Sequence, residues 1–229
     1  MAIVFDSGDG DGADYLTNDS PTITDVPLTF ACWANPSEMV GHDACITLGS
    51  NTNNYLFALN LRGVSENFLK VCMEVKDSSS HSVAKSSGDY VVGSWNHCAG
   101  VCASSSSRQA YLDGTGGAIR TTTISPSGVN RLRIGAWAST WVRPFDGSLA
   151  ECGVWNVALT DGEIQALANG FTPALIRPES LVSYYPLVRN YIDQFGNNTV
   201  TPNNTVVWGE HPISIEDAPV TSRSAWGGI

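Results

Sequence analysis

The chain has 229 residues, 42% of them hydrophobic, enough to bury a sizeable core, and β-sandwiches of this length often form one domain. Twelve Lys and Arg residues against 22 Asp and Glu residues give a formal charge of −10, with no basic run, so we expect no nucleic-acid partner. No segment approaches the roughly 20 apolar residues that cross a bilayer, so we expect no membrane association.

Short runs of alternating apolar and polar residues, separated by turn residues, predict β-strands along most of the chain. In the first half the predicted strands are 28–34, 45–48, 55–62 and 68–76. In the second half they are the two arms of a hairpin over 95–114, then 131–137, 149–157, 182–188 and 205–208. Within 68–76, alternation predicts two faces: one apolar (Leu69, Val71, Met73 and Val75) and one mostly in water (Lys70, Glu74 and Lys76).

One segment predicts a helix. The sequence TDGE at 160–163 is a capping box, whose threonine hydroxyl and glutamate carboxylate each accept a hydrogen bond from an otherwise unpaired backbone N–H. The apolar side chains that follow recur three and four apart and form one stripe: Ile164, Leu167 and Ala168. Gly170 supplies the left-handed residue that commonly ends a helix. The sequence therefore predicts one short helix near 160–169.

Several segments, in order along the chain, resemble a known family. They are AIVFD at 2–6 with DYL at 14–16, LTFACWANP at 28–36, WNHCAGV at 95–101 with YLDG at 111–114, PFDGSLAECGVWNVALTDGEIQAL at 144–167, and LVSYYPL at 181–187 with DQFGN at 193–197. Together they resemble the laminin-G-like, concanavalin A-like jelly rolls, and the last pair is similar to phage and bacterial members.

The resemblance implies an all-β fold, a two-sheet antiparallel jelly-roll sandwich with one short helix near 160–169. We interpret residues 1–229 as a single domain, in which 172–229 form a C-terminal segment that returns to the sandwich and ends in a tail. The fold alone does not select a function, because it hosts lectins, glycanases, adhesion modules and virion proteins.

The six cysteines are expected to be reduced thiols that pack as small hydrophobic side chains. No CxxC pair and no Cys/His cluster with zinc spacing occurs in the sequence. Cys98 and Cys102 share a face of one predicted strand, but four strand residues separate them by roughly 13 Å, which is too far for a disulfide.

Catalytic motifs are absent from the sequence. Glycanases of the resembling fold alternate two glutamates and an aspartate along one strand, whereas Glu151 has no second acid nearby on its predicted strand. No HExxH or GxSxG motif occurs, and we interpret His97, in a predicted strand, as a packed side chain rather than a general base. We therefore expect that the protein is not an enzyme.

The segment DSGDGDGAD at 6–14 brings four aspartates close in sequence: Asp6, Asp9, Asp11 and Asp14. Hard oxygen ligands with flanking glycines suit Ca²⁺, and Asp146 in a Phe-Asp-Gly turn is a second candidate. Asp and Gly are also common turn formers, and we favour that interpretation. No other cofactor is expected.

Aromatic residues supply the candidate binding sites. Trp137, Trp141 and Arg143 lie around a strand end and the loop after it, and they are our predicted glycan site, because sugars stack on aromatic faces and Arg binds hydroxyls or carboxylates. The alternative places one or both tryptophans in the core, and we favour it for Trp137. Trp95 and Trp155 are expected in the core.

Trp226 lies in the Gly-rich segment SAWGGI at 224–229. A lone large aromatic residue there predicts docking, either on its own sandwich or on a neighbouring subunit.

Two functional hypotheses follow. The first is a virion surface protein, a capsid decoration or fibre-associated component, which assembles in the host cytoplasm as a homo-oligomer or on a lattice of other virion proteins. It agrees with the N-terminus MAIVFDSGDG, which has neither the basic nor the long apolar region of a secretory signal. The second is a soluble lectin or carbohydrate-binding module, and a glycoside hydrolase is a distant third.

Overall fold

A computed structural model describes residues 2–6, 12–38, 41–52, 54–63, 68–138, 143–196 and 198–212. In these ranges the strands form two antiparallel sheets. Sheet A has the order β10 (Thr115–Gly116), β9 (Ser107–Leu112), β8 (Asn96–Ser104), β3 (Leu28–Pro36), β12 (Gly147–Trp155), β1 (Ala2–Phe5) and β15 (Val207–Gly209), and β13 (Leu181–Tyr185) also pairs with β12. Sheet B has the order β14 (Thr201–Asn203), β2 (Tyr15–Asn18), β11 (Arg131–Ile134), β4 (His42–Gly49), β5 (Leu56–Arg62), β6 (Lys70–Lys76) and β7 (His81–Lys85). The predicted all-β sandwich is confirmed.

The main core lies between the sheets and follows from the alternation of the strands. On β6 it takes Val71, Met73 and Val75, as predicted. All six cysteines are buried, and most of them belong to this core: Cys32, Cys45, Cys98, Cys102 and Cys152. Each of these five packs as a small hydrophobic side chain between the two sheets.

A second apolar cluster covers the outer face of sheet A. The predicted helix is present as α1 (Asp161–Ala168), and both hydrogen bonds of its capping box form. Ile164 and Leu167 of α1 pack against Trp155 of β12, which is fully buried as predicted. Two short 3-10 helices, Pro173–Leu175 and Pro178–Ser180, complete this cover. No helix in the described ranges is long and apolar enough to cross a membrane.

The central strand β12 changes its neighbour at Glu151. Before this residue β12 pairs with β1 (Ile3 opposite Leu149), and after it with β13 (Tyr185 opposite Cys152). A β-bulge lies at this point, and Glu151 has a φ of 53°, which is uncommon for a residue other than Gly. The bulge therefore turns the Glu151 side chain out of the regular alternation where the sheet branches.

Some predicted elements differ from the structure. Strand 131–137 ends at Ile134, because Gly135 takes a left-handed φ of 84°. Trp95 is half-buried, not core, because it precedes β8 rather than lying within it. The two opening segments, 2–6 and 14–16, which resemble the first strand pair of the family, lie in different sheets, β1 in sheet A and β2 in sheet B. Short strands β7, β10 and β14 were not predicted, because their sequences lack apolar alternation.

Candidate functional site

The outer face of sheet B carries polar and aromatic side chains, whereas the helical segments described above pack on sheet A. Strand register aligns the outer positions of β11, β4, β5, β6 and β7 in four rows. The first row is Arg131, Gly49, Leu56, Lys76 and His81, and the second is Arg133, Thr47, Ala58, Glu74 and Val83. The third is Ala44, Asn60, Cys72 and Lys85, and the fourth is His42, Arg62 and Lys70.

Trp137 lies over the middle of this face. Its indole packs on Ala44, Leu56 and Ala58 and is only 5% exposed, so the burial favoured for this residue is confirmed. Small side chains on β4 and β5 leave the space that the ring fills. Arg133 fixes the position of this segment, since its Nη1 donates to the Trp137 carbonyl at 2.7 Å.

Two further side chains contact the Trp137 ring. The Arg143 guanidinium carbon lies 4.3 Å from the ring centroid, in cation–π geometry, and Arg143 is half-buried. The His42 ring meets the indole edge-on, with centroids 6.5 Å apart and an interplanar angle of 81°. The indole is therefore not an open stacking surface; it packs against the guanidinium group of a half-buried arginine.

A second arginine on this face stacks in the same way. The Arg133 guanidinium carbon lies 4.3 Å from the Tyr15 ring centroid, and Arg133 is 8% exposed. Burial lowers the pKa of Arg133, but an arginine remains charged at neutral pH. Two guanidinium groups on this face thus stack on aromatic rings: Arg133 of β11 on Tyr15 of β2, and Arg143 on Trp137.

Glu74 is the centre of a buried polar network on the same face. Asn60 Nδ2 and Arg62 Nη2 donate to Glu74 Oε2 at 2.9 and 2.6 Å, and His81 Nε2 lies 2.7 Å from Oε1. Burial raises the pKa of Glu74, but the hydrogen bond with His81 and the charge of Arg62 outweigh it and lower the pKa to about 2. The prediction that Glu74 points mostly to water is wrong, because these neighbours close over it and leave it 1% exposed.

Asn60 Oδ1 and Trp137 Nε1 are buried at this face and have no hydrogen-bond partner among the described residues. An unsatisfied buried polar group costs about 1–3 kcal/mol, so such groups are rare in folded proteins and call for an explanation. One acceptor and one donor at the centre of the face are therefore unused by the fold itself.

A family profile described as the concanavalin A-like lectin/glucanases superfamily matches residues 9–165. This match covers more than half of the chain. The chain belongs to the concanavalin A-like lectin/glucanases superfamily. The family resemblance read from the sequence is confirmed. No curated protein sequence matches the chain.

Solved structures share the jelly-roll fold at low identity. A Bacteroides ovatus protein, provisionally named a carbohydrate binding protein, is 21% identical with a TM-score of 0.67, over 93% of this chain and 61% of that protein. Domain 4 of an extracellular arabinanase from Geobacillus stearothermophilus, solved with arabinotriose, is 18% identical with a TM-score of 0.59, over 72% and 81%. Tailspike protein 2 of the Escherichia coli O157:H7 bacteriophage CAB120 is 14% identical with a TM-score of 0.58, over 82% of this chain and 27% of the tailspike.

In this concanavalin A-like chain, the predicted glycan residues are only partly placed. Trp137 and Arg143 lie in contact, while Trp141 falls outside the described residues. Trp226, the residue predicted to dock, also falls outside them. Sequence reasoning missed Arg62 and Arg133. Their signal was present in the strand alternation, which puts each on the opposite face from its apolar neighbours.

The predicted calcium residues lie at the start of the fold. Asp14 N–H donates to the Asp6 carbonyl at 3.0 Å, and Asp6 N–H donates to Asp14 Oδ2 at 3.3 Å, so these two close the loop. Burial raises the pKa of Asp14. Asp9 and Asp11 fall outside the described residues, within which no group of three potential metal ligands occurs. Calcium binding stays a prediction.

His97, considered as a general base and rejected, is packed as expected. It is 2% exposed, its ring meets Trp33 edge-on with centroids 5.4 Å apart, and burial lowers its pKa to about 3. A neutral, enclosed imidazole of this kind is a structural side chain of sheet A.

Proposed function

We propose that this chain is a glycan-binding module and that its ligand lies on the outer face of sheet B. The supporting observation is the contact of Arg143 with Trp137, because the indole holds a half-buried guanidinium at the surface of the face. His42 borders the same ring. Fixed planar donors beside aromatic rings are suited to sugar hydroxyls and carboxylates.

A binding role is favoured over hydrolysis by the state of the acids on this face. Among the strand positions of the four rows, Glu74 is the acidic residue. Its oxygens accept hydrogen bonds from Asn60 and Arg62 and contact His81. Hydrolysis with retention requires two carboxyl groups about 5 Å apart, one of them protonated near neutral pH. A carboxylate with a pKa of about 2 and no free oxygen supplies neither an acid nor a nucleophile.

Likenesses in fold support the proposal only in general terms. The Bacteroides protein and the arabinanase domain have carbohydrates in their descriptions, and this chain spans less than two thirds of the former. Because identities are at or below 21%, the sugar they recognise does not transfer to this chain.

A glycan array with purified protein tests the proposal. We expect wild type to bind a defined glycan set, and Arg143→Ala and His42→Ala to weaken that binding at least about tenfold, since each removes a direct contact group. Arg120→Ala, an exposed arginine on sheet A, is the control and should bind like wild type. Trp141→Ala tests the residue predicted from sequence. Absence of glycan binding by wild type, or full binding by Arg143→Ala and His42→Ala, contradicts the proposal.

We propose as a second candidate that the protein is a virion surface component that assembles with copies of itself or with other capsid proteins in the host cytoplasm. Its support is the fold likeness to part of a phage tailspike and the resemblance of 181–187 to phage proteins. Trp226 is the residue proposed to dock. Mass spectrometry of purified virions tests this role, and absence of the protein from intact particles would rule it out. The two functions are compatible.

A further inference from the structure

Exposed apolar side chains are concentrated beside Tyr184 of β13, on the side of the sandwich formed by sheet A. Seven large apolar side chains are exposed in the described ranges, and four of them, from 43% to 66% exposed, belong to this region: Phe171, Leu175, Ile192 and Phe195. These four residues are named the Tyr184 patch. A single exposed apolar residue is normal, whereas several in one region mark an interaction surface.

Hydrogen bonds tie both halves of the Tyr184 patch to the same tyrosine. Two of its members lie within three residues of Thr172, whose Oγ1 donates to the Tyr184 hydroxyl at 2.9 Å and whose carbonyl accepts from the Leu175 N–H at 3.0 Å. The other two lie within two residues of Asp193, whose Oδ1 accepts from the Tyr184 N–H at 2.9 Å and from the Phe195 N–H at 3.1 Å. The two halves therefore flank one residue of β13.

The chain reaches this patch where it leaves β15. Register places Gly209, the last residue of β15, opposite Ala2 of β1, so the residues that follow continue toward the point where β13 replaces β1 beside β12. At that point His211 Nε2 lies 3.2 Å from Glu151 Oε1, and Glu151 Oε2 accepts from the Tyr184 hydroxyl at 2.6 Å. One carboxylate therefore joins the end of the described chain to the tyrosine between the two halves of the patch.

The sequence after Pro212 contains apolar side chains that suit this surface. Residues 213–229 lie outside the described residues, and five of them are large and apolar: Ile213, Ile215, Val220, Trp226 and Ile229. Seventeen residues in extended form span up to about 55 Å, so the segment is long enough to cross the whole patch. Binding within one chain is favoured over binding to a second copy, because a linked segment meets its site at an effective concentration on the order of 1 mM.

We propose that residues 213–229 bind the Tyr184 patch of the same chain, with the Trp226 indole as the main apolar anchor. Trp226 takes this role because an indole has the largest apolar area to bury, and large aromatic side chains dominate the energy of docked surfaces. The contact lies on the side of sheet A, and the proposed glycan-binding face is on sheet B. The two proposals are therefore independent of each other.

Hydrogen exchange of the full-length chain, followed by mass spectrometry, tests the contact from both sides. Trp226→Ser should speed exchange of the backbone amides at 192–196 about fivefold or more, because these amides lose their cover. Arg223→Gln, a polar change in the same segment, is the matched control and should leave their exchange unchanged. From the other side, Phe195→Ser should speed exchange of the amides at 213–229 by a similar factor. Ile119→Ser, at a 56% exposed residue after β10 on the opposite edge of sheet A, should not.

Dilution of wild type distinguishes the same chain from a second copy. Protection at 192–196 that is unchanged by a dilution of about tenfold supports a contact within one chain, because such a contact does not depend on concentration. Protection that is lost on dilution overturns the proposal in favour of a second copy. Unchanged exchange in Trp226→Ser overturns the contact itself. Trp226→Ser and the dilution series give this answer even if Phe195→Ser folds poorly.

Discussion

Arg62 Nη2 lies 2.6 Å from Glu74 Oε2, and the two side chains are 7% and 2% exposed. A buried pair of this kind adds little net stability over a hydrophobic pair, but loss of one partner leaves a charge uncompensated. Asn60 and His81 also depend on the same carboxylate. The packing of the outer face of sheet B is therefore organised around one acid.

Glu74→Gln should destabilise the protein by about 3–5 kcal/mol, because the amide keeps the shape but leaves Arg62 without its counter-charge. Urea unfolding followed by tryptophan fluorescence measures this. Glu179→Gln, at an exposed position of Pro178–Ser180, is the control and should change stability by less than about 0.5 kcal/mol. Equal midpoints for the two variants would show that the network does not contribute.

Acid should remove the contribution of Glu74. Its pKa falls from the ordinary 4.5 to about 2 in the folded protein, so its stabilisation is complete above about pH 4.5 and is lost as the pH falls toward 2. The difference in unfolding free energy between wild type and Glu74→Gln should therefore shrink between pH 5 and pH 2, by up to about 3 kcal/mol. A difference that stays constant over this range would contradict the low pKa.

The fold could be read from the sequence because its signals are local. The TDGE capping box and the Val71, Met73, Val75 alternation depend on neighbours within a few residues, and both occur as predicted. Short strands such as β7 are stabilised by pairing with β6, which no local pattern records.

The candidate site was only partly predictable, for the same reason. The contact between Arg143 and Trp137 was within reach, since the two residues are only six positions apart in sequence. The placement of Arg62, Lys85 and Arg133 on one face of sheet B was not, because these residues come from three strands whose order is set by the fold. A search for runs of basic residues misses charge that a sheet collects across strands.

Asp43 should make the protein less stable at alkaline pH. It is 1% exposed, and its Oδ2 has no hydrogen-bond partner among the described residues. Burial, with smaller effects from Asp146 and Glu38, raises its pKa from 3.8 to about 8. Because the folded state holds the proton more tightly, stability falls as the pH rises from about 4 to about 8.

Asp43→Asn removes this titration, so the melting temperature of the variant relative to wild type should increase steadily from pH 5 to pH 8. Differential scanning fluorimetry across this range measures it. Asp89→Asn, at a carboxylate with a 61% exposed side chain, should show no comparable trend. A pH-independent difference for Asp43→Asn would mean that Asp43 ionises normally in the fold.

The Glu151 branch point should depend on Tyr184. The Tyr184 hydroxyl donates to Glu151 Oε2 at 2.6 Å and accepts from Thr172 Oγ1 at 2.9 Å, and His211 Nε2 lies 3.2 Å from Glu151 Oε1. Tyr184→Phe removes a hydrogen bond to a carboxylate that is 8% exposed, and should cost about 1.5–3 kcal/mol. Thermal unfolding measures the loss. Tyr191→Phe, between β13 and β14, is the control. Equal effects of the two variants would contradict a specific role for Tyr184.

Gly117 should not tolerate a side chain. A Cβ at this position would lie 1.8 Å from the Lys85 carbonyl oxygen, a backbone atom of β7 that a rotamer change cannot move. This approach joins the β10 edge of sheet A to the edge strand of sheet B. Gly117→Ala should therefore destabilise the protein by about 3 kcal/mol or more, through forced separation of the two edges.

The matched control for Gly117→Ala is Gly162→Ala in the first turn of α1, where a new Cβ meets no atom within 4 Å. Alanine restricts the unfolded chain and favours the helix, so this variant should be as stable as wild type or more stable by up to about 1 kcal/mol. Urea unfolding of both variants gives the comparison. Similar midpoints for the two would show that the edges near Lys85 separate without cost, and the close approach of Gly117 would then play no part in holding the sandwich shut.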